Sequence, residues 1–237
     1  MTADPALAER CAIAVMAKAP RRGEVKTRLV PPLSAEEAAA LSGAFIRDIA
    51  ENILDAAGAA PIDGWIAYSP PGSEAAFAAL LPPAIRRLPP RRVGLGANLS
   101  DAAADLLALG YGAACLVNAD SPTLPTMRLV EAARALALPG DCCVLGPADD
   151  GGYYLIGVKR PHHRLFEEID WSTDRVFRQT LDRAAEIGLP TVVLSSWYDI
   201  DDLASLRQLA CDFAAPNVSR YAASHTAAVV RRIAGRL

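Results

Sequence analysis

The chain has 237 residues, of which 52% are hydrophobic and 22% are charged, and its formal net charge is −3. This composition is typical of a globular protein with an ordinary core, and it excludes a largely disordered chain. The net negative charge argues against general nucleic-acid binding, which needs a basic face. No uninterrupted apolar run approaches the roughly 18 residues of a membrane span, so we expect no membrane partner.

Short apolar runs alternate with helical patterns along the chain, beginning with a strand at 11–17. A long helix follows Ser34, which has capping-box spacing to Glu37. Further strands are predicted at 64–69, 84–88, 113–120 and 191–201, with two more around a polar turn in 142–158. Further helices are predicted at 73–81, 98–110, 125–138 and 172–188, and a C-terminal helix at about 217–237.

Two of these helices carry apparent N-cap residues: Asn98 in one, and Ser172 or Thr173 in the other. Strands that alternate with crossover helices predict a mostly parallel sheet covered on both faces. We expect a single domain over 1–237, with a core at about 11–210. The apolar stretch "AAVV" in the last helix fits either a homodimer contact or docking on the core.

The five cysteines are an odd number and form no C-x-x-C pair. Acidic residues precede the first apolar run, which is not typical of a signal peptide. Together these features predict free thiols and a cytoplasmic location.

The stretch "KAPRRGEVKTRL" (18–29) collects five basic side chains in an acidic chain. It follows the first strand and precedes a long helix, where nucleotide phosphates commonly bind. It has one glycine and matches neither the P-loop nor the dinucleotide fingerprint. We therefore expect its Lys and Arg side chains to bind phosphate directly, with a solvated charged loop as the alternative.

Acidic residues follow later strands. Asp120 ends an otherwise apolar strand, where a carboxylate fits a Mg²⁺ or Mn²⁺ ion or, alternatively, a turn or helix cap. Asp199 and Asp201 alternate in "WYDIDD", so in an extended strand they would point to opposite sides. One would then reach a metal beside Asp120, while the other caps the next helix.

The segment "PADDGGYYLIG" combines two acids, two glycines and two tyrosines. Asp149 or Asp150 could accept a proton from an attacking hydroxyl, although an Asp-Gly turn of a hairpin fits equally well. Trp171 fits the wall of an acceptor pocket or a packed core position.

Five motifs in this order resemble the DUF2064 family, a glycosyltransferase A-like family associated with arsenosugar biosynthesis. They are "MAKAPRRGEVKTRLVPPLS", "NADSPTLP", "LGPADDGGYYLIG", "WSTDRV" and "WYDID". The resemblance implies a Rossmann-like, three-layer nucleotide-diphospho-sugar transferase (GT-A) fold. It also implies kinship with molybdenum-cofactor nucleotidylyltransferases and 2-phospholactate guanylyltransferase.

The resemblance further implies roles for individual residues. A donor nucleotide would lie along the first half of the sheet, and a small-molecule acceptor would face "DDGGYY". Mg²⁺ or Mn²⁺ would be bound by Asp120 and by Asp199 or Asp201. Expected nucleotide-binding residues are Ala17, Lys18, Ala19, Arg21, Gly23, Lys26, Arg28, Asn98 and Asn118. Expected catalytic residues are Asp120, Asp149, Asp150 and Lys26; acceptor-binding residues are Gly151, Gly152, Tyr153 and Trp171; metal ligands are Asp120, Asp199 and Asp201.

Two reactions are compatible with this arrangement of donor, acceptor and metal. In glycosyl transfer, a sugar moves from a nucleotide-diphospho-sugar to the acceptor. In nucleotidyl transfer, a phosphorylated acceptor attacks a nucleoside triphosphate and pyrophosphate leaves. The acidic and aromatic "DDGGYY" segment favours glycosyl transfer, because a phosphorylated acceptor would need nearby cations, for which Lys159, Arg160 and Arg164 are the candidates. A binding protein without turnover is a third reading.

Overall fold

The computed structural model describes residues 4–91, 94–214 and 220–237, and a seven-stranded sheet forms its centre. The strands are β1 Cys11–Lys18, β2 Ile62–Ser69, β3 Arg86–Leu88, β4 Ala113–Asn118, β5 Cys143–Pro147, β6 Tyr153–Val158 and β7 Thr191–Val193. They are arranged in the order β3-β2-β1-β4-β6-β5-β7. Only β6 among them runs antiparallel to its neighbours, so the sheet is mostly parallel, as predicted.

Helices cover both faces of this sheet and give three layers. They are α1 Ala35–Ala57, α2 Glu74–Leu80, α3 Leu95–Ala108, α4 Thr126–Ala137, α5 Val176–Glu186, α6 Leu203–Ala214 and α7 Ser224–Ile233. One core joins the sheet to α1 and α4, and a second joins it to α3 and α5. A third core joins the outer side of α1 to α6 and α7. Among the described residues, no helix combines the length and apolar character needed to cross a bilayer.

Strand β1 shows why the predicted fold forms. Ile13 and Val15 pack into the α1 side, while Ala12 and Ala14 pack into the α3 side. All four are fully buried. An apolar run buried on both faces is typical of a central parallel strand.

The helix caps were predicted with mixed success. The capping box between Ser34 and Glu37 is confirmed. The N-cap prediction for Asn98 is wrong, because α3 begins three residues earlier and Gly94 occupies the cap position. The N-cap position of α5 is held by Arg175 and not by Ser172 or Thr173, because α5 begins at Val176. The Thr173 hydroxyl donates to the Asp170 carbonyl and accepts from the Arg175 amide at 3.3 Å, so it stabilises the turn before the helix.

The last strand is shorter than predicted. After β7 the chain leaves the sheet, and it returns only at the bridge between Ala148 and Trp197. The Ile200 amide then donates to the Asp120 carbonyl at 2.9 Å, which fixes the segment beside the end of β4. Because 199–201 is not an extended strand, Asp199 and Asp201 converge, and the expectation that they point to opposite sides is wrong.

The C-terminal helix α7 packs against α1. It begins at Ser224, and 217–219 of the predicted helix lie outside the described residues. The buried carboxylate of Asp48 accepts hydrogen bonds from the amides of His225, at 3.1 Å, and Thr226, at 2.7 Å. Asp48 therefore satisfies the otherwise unpaired amides at the start of α7.

Candidate functional site

A cleft of about 450 Å³ opens at the carboxyl ends of β1 and β4. Its lining includes Lys18, Lys26, Arg28, Asp120, Asp150, Thr173, Asp174 and Asp201. Smaller cavities of about 180 and 250 Å³ share Met16 with it, one toward α3 and one toward Trp171. The carboxyl edge of a parallel sheet is where ligands bind in open α/β folds.

Lys26 lies at the centre of the cleft. Its ammonium contacts Asp120 Oδ1 at 2.7 Å, Asp201 Oδ1 at 2.9 Å and the Ile200 carbonyl at 2.6 Å. Only 7% of its side chain is exposed. Burial disfavours the charge, but the two carboxylates outweigh it and hold the pKa of Lys26 above its ordinary value. Lys26 therefore remains charged and joins Asp120 to Asp201.

Asp150, Asp199 and Asp201 form an acidic cluster, with one carboxylate oxygen of each within 4.8 Å of the others. Burial of Asp199, together with the charges of Asp150, Asp201 and Asp120, raises the pKa of Asp199 to about 7. A site with this excess of negative charge and oxygen donors fits Mg²⁺ or Mn²⁺. Asp120 is linked to the cluster by Lys26, whose ammonium contacts both Asp120 and Asp201.

The basic loop contributes unequally to the cleft. Lys18 and Arg28 line it, and the Lys18 ammonium donates to the Glu24 carbonyl at 2.9 Å. Arg21 instead donates to Ser73 Oγ at 3.1 Å, and Arg22 pairs with Glu36 at 2.7 Å. The loop therefore presents Lys18 and Arg28 to a bound anion.

A tight turn after β5 positions the candidate base. Gly151 has φ +89°, and a Cβ there would collide with the Asp174 backbone, so the turn requires glycine. The Asp150 carboxylate accepts from the Gly152 amide at 2.8 Å and lines the cleft. Asp149 is exposed, with its amide bonded to the Trp197 carbonyl, and it is absent from the cleft lining.

The cavity of about 250 Å³ has an aromatic wall. The rings of Tyr153 and Trp171 meet edge to face at 6.5 Å, and Gly152 also lines this cavity. Gly96 leaves room for the indole, because a Cβ there would lie 2.5 Å from Trp171 Nε1. The buried hydroxyl of Tyr153 has no hydrogen-bond partner among the described residues, and burial raises its pKa well above the usual range.

The cavity of about 180 Å³ lies between β1, β2 and α3. Ala17, Lys18 and Asn98 line it, and Asn98 Oδ1 is buried without a hydrogen-bond partner among the described residues. Arg91 pairs with Asp105 at 2.7 Å at its margin. Arg91 and Asp105 lie outside the motifs quoted above, so the sequence did not indicate them as site residues.

The remaining predicted residues have supporting positions. Asn118 Oδ1 accepts from the Asp120 amide at 3.3 Å and orients the turn after β4. Ala19 is buried, with its amide on the Ser69 carbonyl at 2.7 Å. Gly23 is exposed and has φ +76°, which a turn with glycine accommodates.

The fold is that of known nucleotide-using proteins. A protein from Desulfovibrio desulfuricans G20, provisionally described as a nucleotide-diphospho-sugar transferase, has a TM-score of 0.82 and 26% identity, with 95% of both chains covered. A 4-diphosphocytidyl-2C-methyl-D-erythritol synthase from Anaerococcus prevotii has a TM-score of 0.53 and 11% identity, over 90% of this chain and 100% of that one. A CMP:2-keto-3-deoxy-manno-octonic acid synthetase complexed with CTP has a TM-score of 0.52 and 14% identity, over 86% and 98%.

These likenesses define the class: a Rossmann-like α/β fold shared by nucleotide-diphospho-sugar transferases and nucleotidyltransferases. Within that class the chain belongs to the family described as uncharacterized protein conserved in bacteria (DUF2064), which matches residues 52–173, just over half of the chain. The predicted family and fold class are thereby confirmed. No curated protein matches the chain in sequence.

Proposed function

We propose that this protein is a metal-dependent transferase that moves a sugar from a nucleotide-diphospho-sugar to a small acceptor without a phosphate. The observation that carries the proposal is that one cleft is lined both by the cationic loop residues Lys18 and Arg28 and by Asp150 and Asp201, two members of the Asp150–Asp199–Asp201 cluster. A diphosphate that binds together with a divalent cation needs carboxylates to hold the cation and basic side chains to bind the phosphate oxygens.

Use of a nucleotide donor is supported by the fold and by the shape of the cleft. The cavity between β1, β2 and α3 adjoins the cleft at Lys18, so a nucleoside there would place its phosphates beside Lys18 and Arg28. The Desulfovibrio protein, similar over 95% of the chain, is provisionally described as a nucleotide-diphospho-sugar transferase.

The preference for glycosyl transfer rests on the cations that a phosphorylated acceptor would need. Lys159 donates to the carbonyls of Leu138 and Gly140, both at 2.6 Å, and lines a cavity with Arg10 and Cys11 at the opposite edge of the sheet. It is therefore remote from the Tyr153–Trp171 wall.

The other two candidate cations are likewise engaged by neighbouring carboxylates. Arg160 lies 3.7 Å from Asp141, and Arg164 pairs with Glu168 and Glu186. An aromatic wall with a neighbouring carboxylate suits a sugar or another neutral hydroxyl compound.

In the proposed reaction, Lys18 and Arg28 bind the donor phosphates, and Asp150 accepts the proton of the acceptor hydroxyl. The aromatic wall of Tyr153 and Trp171 holds the acceptor and excludes water from the reacting centre. Mg²⁺ or Mn²⁺, held by Asp199 and Asp201 beside Asp120, would supply neutralisation of the leaving diphosphate, which leaves Asp150 free to act as the base.

A thermal-shift panel of nucleotide sugars and nucleoside triphosphates, each with and without Mn²⁺, tests the proposal. A ligand of the native state raises the unfolding temperature by mass action. We expect the largest shift from one nucleotide sugar with Mn²⁺, followed by release of its nucleoside diphosphate when an acceptor is added. A shift confined to triphosphates, with pyrophosphate release, would establish nucleotidyl transfer instead.

A further inference from the structure

The ammonium of Lys26 is fully engaged by the protein itself. An ammonium has three donors, and Lys26 has three acceptors: Asp120 Oδ1, Asp201 Oδ1 and the Ile200 carbonyl, all within 2.9 Å. Only 7% of this side chain is exposed, whereas 52% of the Lys18 side chain is exposed in the same cleft. In this arrangement Lys26 has no donor left for a phosphate.

We propose that Lys26 is an internal counter-ion that substitutes for the divalent cation when the cleft is empty, and that metal binding transfers its ammonium from the carboxylates to the donor phosphates. This inference rests on the proposed function. It makes Lys26 a positioning residue in the empty enzyme and a phosphate ligand only after the metal has bound.

Electrostatics explains why the empty cleft needs such a cation. Four carboxylates meet here, and like charges a few ångströms apart repel strongly where burial lowers the local dielectric. They belong to Asp120, Asp150, Asp199 and Asp201. Lys26 contacts two of the four and so offsets part of this repulsion while no metal is bound.

The same charge must compete with the metal. A divalent cation that binds Asp201 and approaches Asp120 would lie within a few ångströms of the Lys26 ammonium, which repels it. The lysine side chain has a flexible four-carbon stem, so its ammonium can move without a change in the backbone of the loop.

The exchange predicts that metal and nucleotide strengthen each other. Metal binding frees one cationic donor for the phosphates, and a phosphate that holds this donor keeps it away from the carboxylates. By linkage, the two affinities increase by the same factor. Removal of the Lys26 charge should therefore improve the binding of metal alone.

The test measures Mn²⁺ binding without nucleotide, by electron paramagnetic resonance of the free ion. We expect Lys26→Met to bind Mn²⁺ about tenfold more tightly than the unaltered protein, because a competing charge has been removed. Lys18→Met is the matched control: it removes the same charge from the same cleft, but from a side chain that pairs with Glu24. Its Mn²⁺ affinity should stay within about twofold.

The outcomes separate this inference from the proposed function. If the unaltered protein binds Mn²⁺ and Lys26→Met binds it equally or more weakly, the inference is wrong while the metal-dependent transferase stands. If neither protein binds Mn²⁺, both are wrong. Tight binding by Lys26→Met alone would support the inference strongly.

A second measurement uses the unaltered protein and so does not depend on the folding of a variant. The sequence contains three lysines, at 18, 26 and 159. Acylation by an N-hydroxysuccinimide ester, read by mass spectrometry, should modify Lys26 slowly without metal. Its rate relative to Lys159 should increase several-fold with saturating Mg²⁺; an unchanged ratio with Mg²⁺ bound would overturn the exchange.

Discussion

Two clusters of potential metal ligands among the described residues have comparable spacing and different surroundings. Asp48, Glu51 and His225 form one, Asp150, Asp199 and Asp201 form the other, and each brings its ligand atoms within 4.8 Å. In the first group the fold supplies the partners: Asp48 accepts two amide hydrogen bonds from α7, and the imidazole of His225 lies 3.0 Å from Glu51.

The carboxylates of the second group have fewer hydrogen-bonding partners than those of the first. Asp150 accepts from the Gly152 amide, Asp201 shares Lys26 with Asp120, and the neighbouring charges raise the pKa of Asp199 to about 7. Spacing alone therefore does not identify a ligand site. What distinguishes the two groups is the number of hydrogen-bonding partners that the fold supplies, and the group with fewer partners contributes Asp150 and Asp201 to the lining of the cleft.

The largest expected effect follows from Asp120→Ala. Loss of this carboxylate should lower sugar transfer by about a hundredfold or more and abolish the effect of Mn²⁺ on nucleotide binding. The fold should survive with a lowered unfolding temperature, because Lys26 keeps Asp201 and the Ile200 carbonyl as partners but loses Asp120. Calorimetric titration of the nucleotide with and without Mn²⁺ measures the effect of the metal on binding. Asp182→Ala, an exposed acid on α5 paired with Arg178, is the control; an equal loss there would refute the assignment.

The next effect concerns the first group and falls on stability. Asp48→Ala leaves two amides at the start of α7 without an acceptor, so the free energy of unfolding should fall by about 2–3 kcal/mol. Urea denaturation measures it. Transfer per folded molecule should stay within about twofold. A large loss of activity in the folded variant would show that this group, too, belongs to the function.

The effect of Asp199→Asn on the free energy of unfolding should depend on pH, unlike an effect on the first group that arises from a lost helix cap. In the metal-free protein the folded pKa, about 7, lies above the ordinary value of 3.8. Between these values the folded state binds more protons than the unfolded state, so the contribution of Asp199 to stability decreases as pH rises. The variant should therefore be more stable than the unaltered protein at pH 8, by about 1–2 kcal/mol after screening, and the difference should shrink toward pH 5. Urea denaturation in EDTA at several pH values tests the trend; a difference independent of pH would contradict it.

The smallest effect is expected from Glu51→Gln. Glu51 is partly exposed and pairs with His225 and Arg47. Ion pairs of this kind contribute little, so the free energy of unfolding should change by less than about 1 kcal/mol. Urea denaturation beside Asp48→Ala provides the comparison. A loss as large as that of Asp48→Ala would place the stabilisation in the ion pair and not in the helix cap.

The sequence predicts the parts of this fold that depend on neighbouring residues. The apolar run of β1, the capping box of Ser34 and the hairpin of β5 and β6 are all local patterns. Local signals failed where tertiary contacts decide. Asn98 has the side chain of an N-cap, but its helix starts earlier and carries Asn98 to the cavity wall instead.

The candidate site was predictable in its residue types and not in its pairings. Strand ends indicated Asp120 and Asp201, and the basic loop indicated Lys26, because polar residues at such positions meet at one edge of the sheet. Two features of the site depend on the departure of the chain from the sheet after β7. They are the contact of Lys26 with both Asp120 and Asp201 and the convergence of Asp199 with Asp201. No periodicity in the sequence carries that information.

The hydrogen bond between Lys26 and Asp201 joins positions 175 residues apart. During synthesis from the N-terminus, the loop, β1 and the turn at Asp120 all emerge before the segment at Ile200. Contacts of such high sequence separation form late in folding, because the loop-closure entropy must be overcome first. A nascent chain that ends before Asp199 lacks two of the three carboxylates of the Asp150–Asp199–Asp201 cluster, so we expect it to bind no metal there.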